Sequence, residues 1–189
     1  MTVREGIPLR LPLDPETIHG LVVGDRVLLT GRLLVARDAA HRRMVEALRA
    51  GESLPFSLEG QVIYYMGPTP APPGKPVGAA GPTTSGRMDP FLPELLGAGL
   101  VATIGKGPRS EAARTAMREH GAVYFVVTGG AGALLATHVT AARVIAYDDL
   151  GPEAVREIEV RNLPAIVAND IRGRDLFEEG RRRFAASSE

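Results

Sequence analysis

Three cationic side chains stand in glycine-bounded loops or directly ahead of helices. Arg37 precedes "DAAH" (38–41), Arg87 lies in "GPTTSGRMDP" (81–90), and Lys106 lies in "GKGPRS" (105–110). A helix start presents unpaired N–H groups and partial positive charge, and so holds anions. Arginine adds a planar fork that meets a carboxylate with two hydrogen bonds. Any one of these charges alone reads as a solvated loop residue; three in such settings point to an anion site. Segment 81–90 also carries Thr83, Thr84, Ser85 and Asp89, more chemistry than a turn requires.

Phosphate is the first anion to test. "GAGLVATIGKG" (97–107) resembles a P-loop, but five residues separate Gly99 from Gly105, and Gly107 stands where Ser or Thr would hold magnesium. "TGGAGALL" (128–135) offers Gly130 and Gly132 as the first two glycines of a dinucleotide loop, but Leu135 occupies the third place. A tight strand-to-helix turn explains the second segment without a ligand.

The elements that must position these residues follow from patterning. Apolar, β-branched runs predict strands over 26–36, 60–67, 100–105, 122–127, 138–147 and 164–170. Helices are predicted over 38–51, with Asp38 as N-cap and Gly51 as stop, and over 110–121, with Ser110 as cap and Gly121 as stop. Two more are expected over 89–99 and 173–188, the last fraying over 180–189. The proline-rich 69–76 reads as a stiff, extended surface connector. Together these give an α/β chain with a single domain spanning 1–189.

The bounds agree. The 189 residues are 44% hydrophobic with a mean hydropathy of +0.02, as in a globular domain. The net charge of +0 leaves no footprint for nucleic acid or an anionic membrane. No apolar run approaches the roughly 20 residues of a membrane span, and the first residues do not read as a signal peptide, so a cytoplasmic location is expected. Cysteine is absent, which removes thiol nucleophiles and thiolate metal ligands. His19, His120 and His138 form no metal spacing. His41 reads as a polar surface residue, or alternatively as a support for Arg37 one helical turn away. The arginine run 181–183 reads as a solvated helix face.

"AAGPTTSGRMDPF" resembles the hallmark of the β subunit, or C-terminal domain, of the iron–sulfur (class I) fumarate hydratases and L(+)-tartrate dehydratases. "GRLLVARDAAHRRM", "GQVIYYMGPTPAPPGKPVGAAGPTT", "IGKGPRS", "VTGGAGALLATHV" and "AYDDLGPEAVREIEVRNLPAIVANDIRGRDLF" are similar to that family's remaining segments, in order, from about residue 5 to about 178. Gly132 and Pro108 depart from the residues common in the family.

The resemblance implies a swivelling β/β/α domain. It implies a partner α subunit whose cysteines bind a four-iron, four-sulfur (4Fe-4S) cluster, in a heterodimer or α2β2 assembly, with no metal bound by this chain. The chemistry implied is reversible hydration of a small dicarboxylate, fumarate to malate first and tartrate to oxaloacetate second. Arg37, Arg87 and Lys106 would then bind carboxylates. Thr83 would touch the substrate and assist proton transfer, with a base from the partner. Thr84 and Ser85 would shape the loop by local hydroxyl-to-backbone bonds. Gly81, Gly86, Gly105 and Gly107 would allow close backbone approach. Asp89 would cap the following helix or, second, hold Arg87. Arg109 and Ser110 fit an anion-facing helix start, although capping alone explains Ser110. The contrasting class is a stand-alone phosphate- or nucleotide-binding α/β module, which would bind nucleotides without a partner.

Overall fold

The central strands are apolar at nearly every position, which requires burial on both faces. In the computed structural model, which describes residues 6–185, that requirement is met by a sheet with one core on each side. The elements are β1 (Ile7–Arg10), α1 (Pro15–Gly20), β2 (Arg26–Val35), α2 (Asp38–Arg49), β3 (Val62–Tyr64), α3 (Leu92–Gly97), β4 (Ala102–Gly105), α4 (Glu111–Glu119), β5 (Val123–Val126), α5 (Gly132–Ala136), β6 (Val139–Ala146), β7 (Val155–Asn169) and α6 (Leu176–Ala185). Val62, Tyr64, Ile104, Val123 and Phe125 join a core with Leu29, Leu33, Ile158 and Val167. The alternate residues Ile63, Tyr65 and Tyr124 face a second core with Met44, Leu92, Leu95 and Met117 of the helices.

The strand order is β1-β2-β3-β4-β5-β7-β6, with a further pairing of β2 and β7. β1 through β5 pair in parallel, each with the next. β7 runs antiparallel to its neighbours and pairs with β2 along its length, from Arg26↔Ile166 to Val35↔Arg156. Ile166 is also opposite Val126 of β5. The pairings β2-β3-β4-β5-β7 therefore close into a ring around the first core, while α2, α3 and α4 cover the outside of β3 to β5.

The expected strands all form. The sequence reading lacked β1 and the first half of β7, where Arg156, Glu157, Glu159 and Arg161 interrupt the apolar run. Those charges alternate with the buried Val155, Ile158 and Val160 because that part of β7 has an exposed side. It also lacked α1, a six-residue helix capped by the Asp14 carboxylate on Thr17 N at 2.7 Å. The expected helix over 89–99 divides into a 3-10 turn, Ser85–Phe91, and α3. The helix expected over 173–188 is α6; of its expected frayed tail, 186–189 lie outside the described residues. The 69–76 connector is exposed, as expected, but not extended: Thr69 N bonds to Ala79 O and Gly78 N to Thr69 O, so it loops back on itself.

Ser110, Gly51 and Gly121 cap or stop their helices as expected, and Asp38 does not. Ser110 Oγ accepts from Ala113 N at 3.2 Å, as expected, and Gly51 and Gly121 end their helices at φ 74° and 64°. Asp38 is not the N-cap of α2: it is the first helical residue, and Arg37 in the cap position makes no side-chain cap bond. The exposed N–H is met from far along the chain, where Glu153 Oε2 accepts from Ala39 N at 2.7 Å. Glu153→Ala is therefore expected to destabilise the domain by about 1 kcal/mol in urea unfolding; an unchanged midpoint would remove Glu153 from the cap.

Candidate functional site

Residues 82–85 behave as a short strand stitched between the ends of β3 and β4. Met66 pairs with Pro82 and Thr84 with Lys106. Thr83 N donates to Tyr65 O at 2.6 Å, Lys106 N to Thr83 O at 3.2 Å, and Ser85 N to Lys106 O at 2.9 Å. Thr83 and Lys106 are thus neighbours through the backbone although 23 positions separate them in sequence. Gly105 must lack a side chain, because a Cβ there would collide with Ser85 Oγ. At Gly81 and Gly86 a Cβ would meet the rest of the chain only in ordinary contact, so the packing of this chain does not itself demand glycine there.

Arg37 stands between β2 and α2, with its guanidinium stacked where a Cβ on Gly67 would lie. Its Nη2 is 3.6 Å from Glu153 Oε1 and 3.8 Å from Asp38 Oδ2. Arg87 is half exposed and donates from Nε to Asp38 Oδ1 at 2.9 Å. The structure therefore brings Arg37 and Arg87 together around one carboxylate, and Thr83 and Lys106 together through the loop. The Lys106 side chain runs along Gly129 and has no acidic partner among the described residues. A cavity of 510 Å³ opens beside it, walled by Val127, Gly129, Leu134 and Ile166. Arg37, Thr83 and Arg87 do not line that cavity, so the Lys106 side chain and the arginine pair open onto different places.

Under the loop lies a buried charge that the sequence did not reveal. Arg109, expected to face an anion, turns inward, its side chain fully covered. Its Nε is 2.8 Å from Asp89 Oδ1, and its guanidinium carbon lies 5.4 and 5.1 Å from the ring centres of Tyr65 and Tyr124. Burial pulls its pKa down, but Tyr65 and Asp89 outweigh that effect and the group stays charged. Asp89 therefore neither caps the next helix nor holds Arg87. Its second oxygen accepts from Ser110 N at 2.7 Å, tying the hallmark turn to the start of α4. Ser85 does not bond locally either. Its Oγ is 2.8 Å from Tyr124 Oη, which donates to Gly107 O at 2.9 Å. Thr84 is exposed.

His41 is fully buried, which corrects the expectation of a surface residue. Nδ1 bonds to Arg37 O at 2.8 Å, and the ring meets Tyr65 edge-on at 5.1 Å between centres. It thus backs Arg37, the alternative role. Burial lowers its pKa to about 4, partly offset by the bond to Arg37 O. Its place at i+4 from Arg37 was readable, but its burial depended on Phe91 and Tyr65, far away in sequence.

The fold and site define an α/β domain that presents a cation-rich, hydroxyl-bearing loop at the ends of two parallel strands. The model of the family described as Fumarase C-terminus matches residues 4–180, and the chain belongs to that family. It is 42% identical over 170 residues to "Fumarate hydratase 1, mitochondrial" of Leishmania major, covering 87% of this chain and 31% of that protein. It is 39% identical over 159 residues to "Fumarate hydratase class I, anaerobic" of Escherichia coli (strain K12), covering 83% and 29%. It is 38% identical over 177 residues to a Methanocaldococcus jannaschii protein assigned as L(+)-tartrate dehydratase subunit beta, covering 88% and 89%. The chain therefore spans under a third of the two hydratases and nearly all of the β subunit. These relatives place it in a hydro-lyase family.

Two measurements test this architecture. Asp89→Ala leaves the Arg109 charge buried and unpaired and is expected to cost about 3–5 kcal/mol in urea unfolding; a loss under about 1 kcal/mol would show that solvent reaches the pair. His41 has a folded pKa below its unfolded value, so the stability it contributes is present above about pH 6.5 and is lost as pH falls toward 4. Wild type is expected to lose about 3 kcal/mol more than His41→Gln across that window, and equal slopes would place His41 in solvent.

Proposed function

We propose that this chain is the β subunit of a two-subunit iron–sulfur hydro-lyase that adds water reversibly to a small unsaturated dicarboxylate, fumarate or the tartrate couple. The observation that supports the reading is the similarity to a tartrate dehydratase β subunit, 38% identical over 177 residues, together with Thr83 and Arg87 on the loop, Arg37 joined to Arg87 through Asp38, and Lys106 joined to Thr83 by the backbone. A cytoplasmic setting and a swivelling motion of this domain over its partner belong to the same proposal. Among the described residues no helix is long and apolar enough to cross a membrane.

Removing a proton from a carbon beside a carboxylate drives negative charge onto that carboxylate. Cations already in place stabilise this charge without reorganising. Arg87 presents its terminal nitrogens, Arg37 supports it through the shared Asp38, and Lys106, joined to Thr83 through the backbone, adds a point charge from the neighbouring cavity. The Thr83 hydroxyl contacts the substrate, but a threonine is far too weak an acid to lose its proton unaided, so the base comes from the partner. An iron–sulfur cluster of this family is held by cysteine. This chain has none, and among the described residues no three His, Asp or Glu gather as a metal site. The residues here do not fit the cluster, and the partner holds it.

The purified chain is expected to show no hydration of fumarate or dehydration of malate or tartrate, and to become active when co-expressed with a cluster-bearing α subunit. Enzyme-like turnover by the isolated chain would refute the two-subunit reading. Nucleotide binding by the isolated chain, without dicarboxylate activity in the assembly, would favour the phosphate-module alternative.

A further inference from the structure

One carboxylate stands between the two arginines of the loop. Asp38 Oδ1 accepts from Arg87 Nε, and Oδ2 faces Arg37 Nη2 without a hydrogen-bond partner of its own. Two alternative purposes for Asp38 fail. It is not needed as a cap, because Glu153 fills that role from β7's approach. It is not a strong stabiliser of the fold, because the Arg87 side chain is 54% exposed and ion pairs so open contribute little.

What the contact does determine is direction. A guanidinium has a side edge that includes Nε and an end edge formed by its two Nη groups. Asp38 takes Nε, so the end edge of Arg87 is left for a ligand. It also places an anion between two guanidiniums from segments 50 positions apart, which would otherwise repel each other.

We infer that Asp38 is a positioning residue of the carboxylate clamp: it anchors Arg87 by Nε, holds it beside Arg37, and turns its Nη pair toward the substrate. This rests on the hydro-lyase reading above. The carboxylate remains in place during turnover and is not displaced by substrate.

The test uses the assembled enzyme, with a second readout on the isolated chain. In the assembly, Asp38→Asn is expected to lower kcat/KM roughly tenfold to hundredfold, the scale of misplacing a reacting group, with a melting temperature close to wild type. Asp38→Glu keeps the charge but shifts it, and is expected to lower kcat/KM as well. In an Arg87→Ala background, Asp38→Asn should add almost nothing, because the two residues act as a unit. Asp149→Asn, which breaks an exposed pair with Arg43 on the same helix, should leave kcat/KM unchanged. In the isolated chain, the Arg87 Nε–H should exchange slowly by NMR, and the protection should vanish in Asp38→Asn. Wild-type kcat/KM in Asp38→Asn, losses that multiply in the double variant, or an unprotected Nε–H would each overturn the inference while leaving the hydro-lyase reading intact. A wild-type assembly inactive on dicarboxylates, with Nε–H still protected, would overturn the parent reading and the clamp role together.

Discussion

Thr83 reaches Tyr65 and Lys106 by backbone bonds alone, and Ser85 reaches back to Lys106 in the same way. These bonds satisfy the groups that β3 and β4 leave open at their ends. The main chain at Thr83, Ser85 and Lys106 is thereby fixed as one piece, while the Arg87 side chain is held from another segment by Asp38. Strand ends in a parallel sheet all point the same way, so segments distant in sequence deliver their residues to one rim. The glycine at 105 is the concession that lets Ser85 lie against that rim.

Beneath the rim, Arg109 and Asp89 form a charged pair inside the helix-side core. Such a pair is a poor source of stability compared with apolar packing of the same volume. Its geometry suggests another purpose. Asp89 belongs to the turn that carries Arg87, and Arg109 to the loop that carries Lys106, with Tyr65 and Tyr124 on either side of the guanidinium. The pair joins the two cation-bearing segments from below, and Tyr124 repeats the link, its Oη lying against Ser85 Oγ and donating to Gly107 O. Both ties hold only in one register of the loops, so they favour one arrangement over its neighbours.

The cations of the candidate site stood out because arginine and lysine in glycine-bounded loops are unusual, and the strands of the central sheet were legible because apolar runs need two covered faces. The partners were not legible. Asp38 looked like a cap because aspartate ahead of an amphipathic run usually is one; Glu153 took that role from more than a hundred positions away. Asp89 looked like a cap or a partner for Arg87, and Arg109 like an anion-facing charge at a helix start, since neither their burial nor their mutual contact leaves a local pattern. His41 was misjudged for the same reason. The first half of β7 was hidden by its charged side, which faces outward while Ile158 and Val160 face the core. Local pattern identified residue types that carry chemistry, and tertiary contact decided which acid serves which base.

β7 completes the ring by lying against β2, whose residues pair with partners about 120 to 140 positions later. This gives the domain a high contact order, and such topologies fold slowly because distant segments must meet before their contacts help. During synthesis β2 leaves the ribosome long before β7 exists, and one of its edges stays open in the interval. Open strand edges are templates for pairing with other chains. The sheet that later presents a rigid rim to solvent is therefore most vulnerable while nascent, and its yield in cells depends on how well that early edge is shielded.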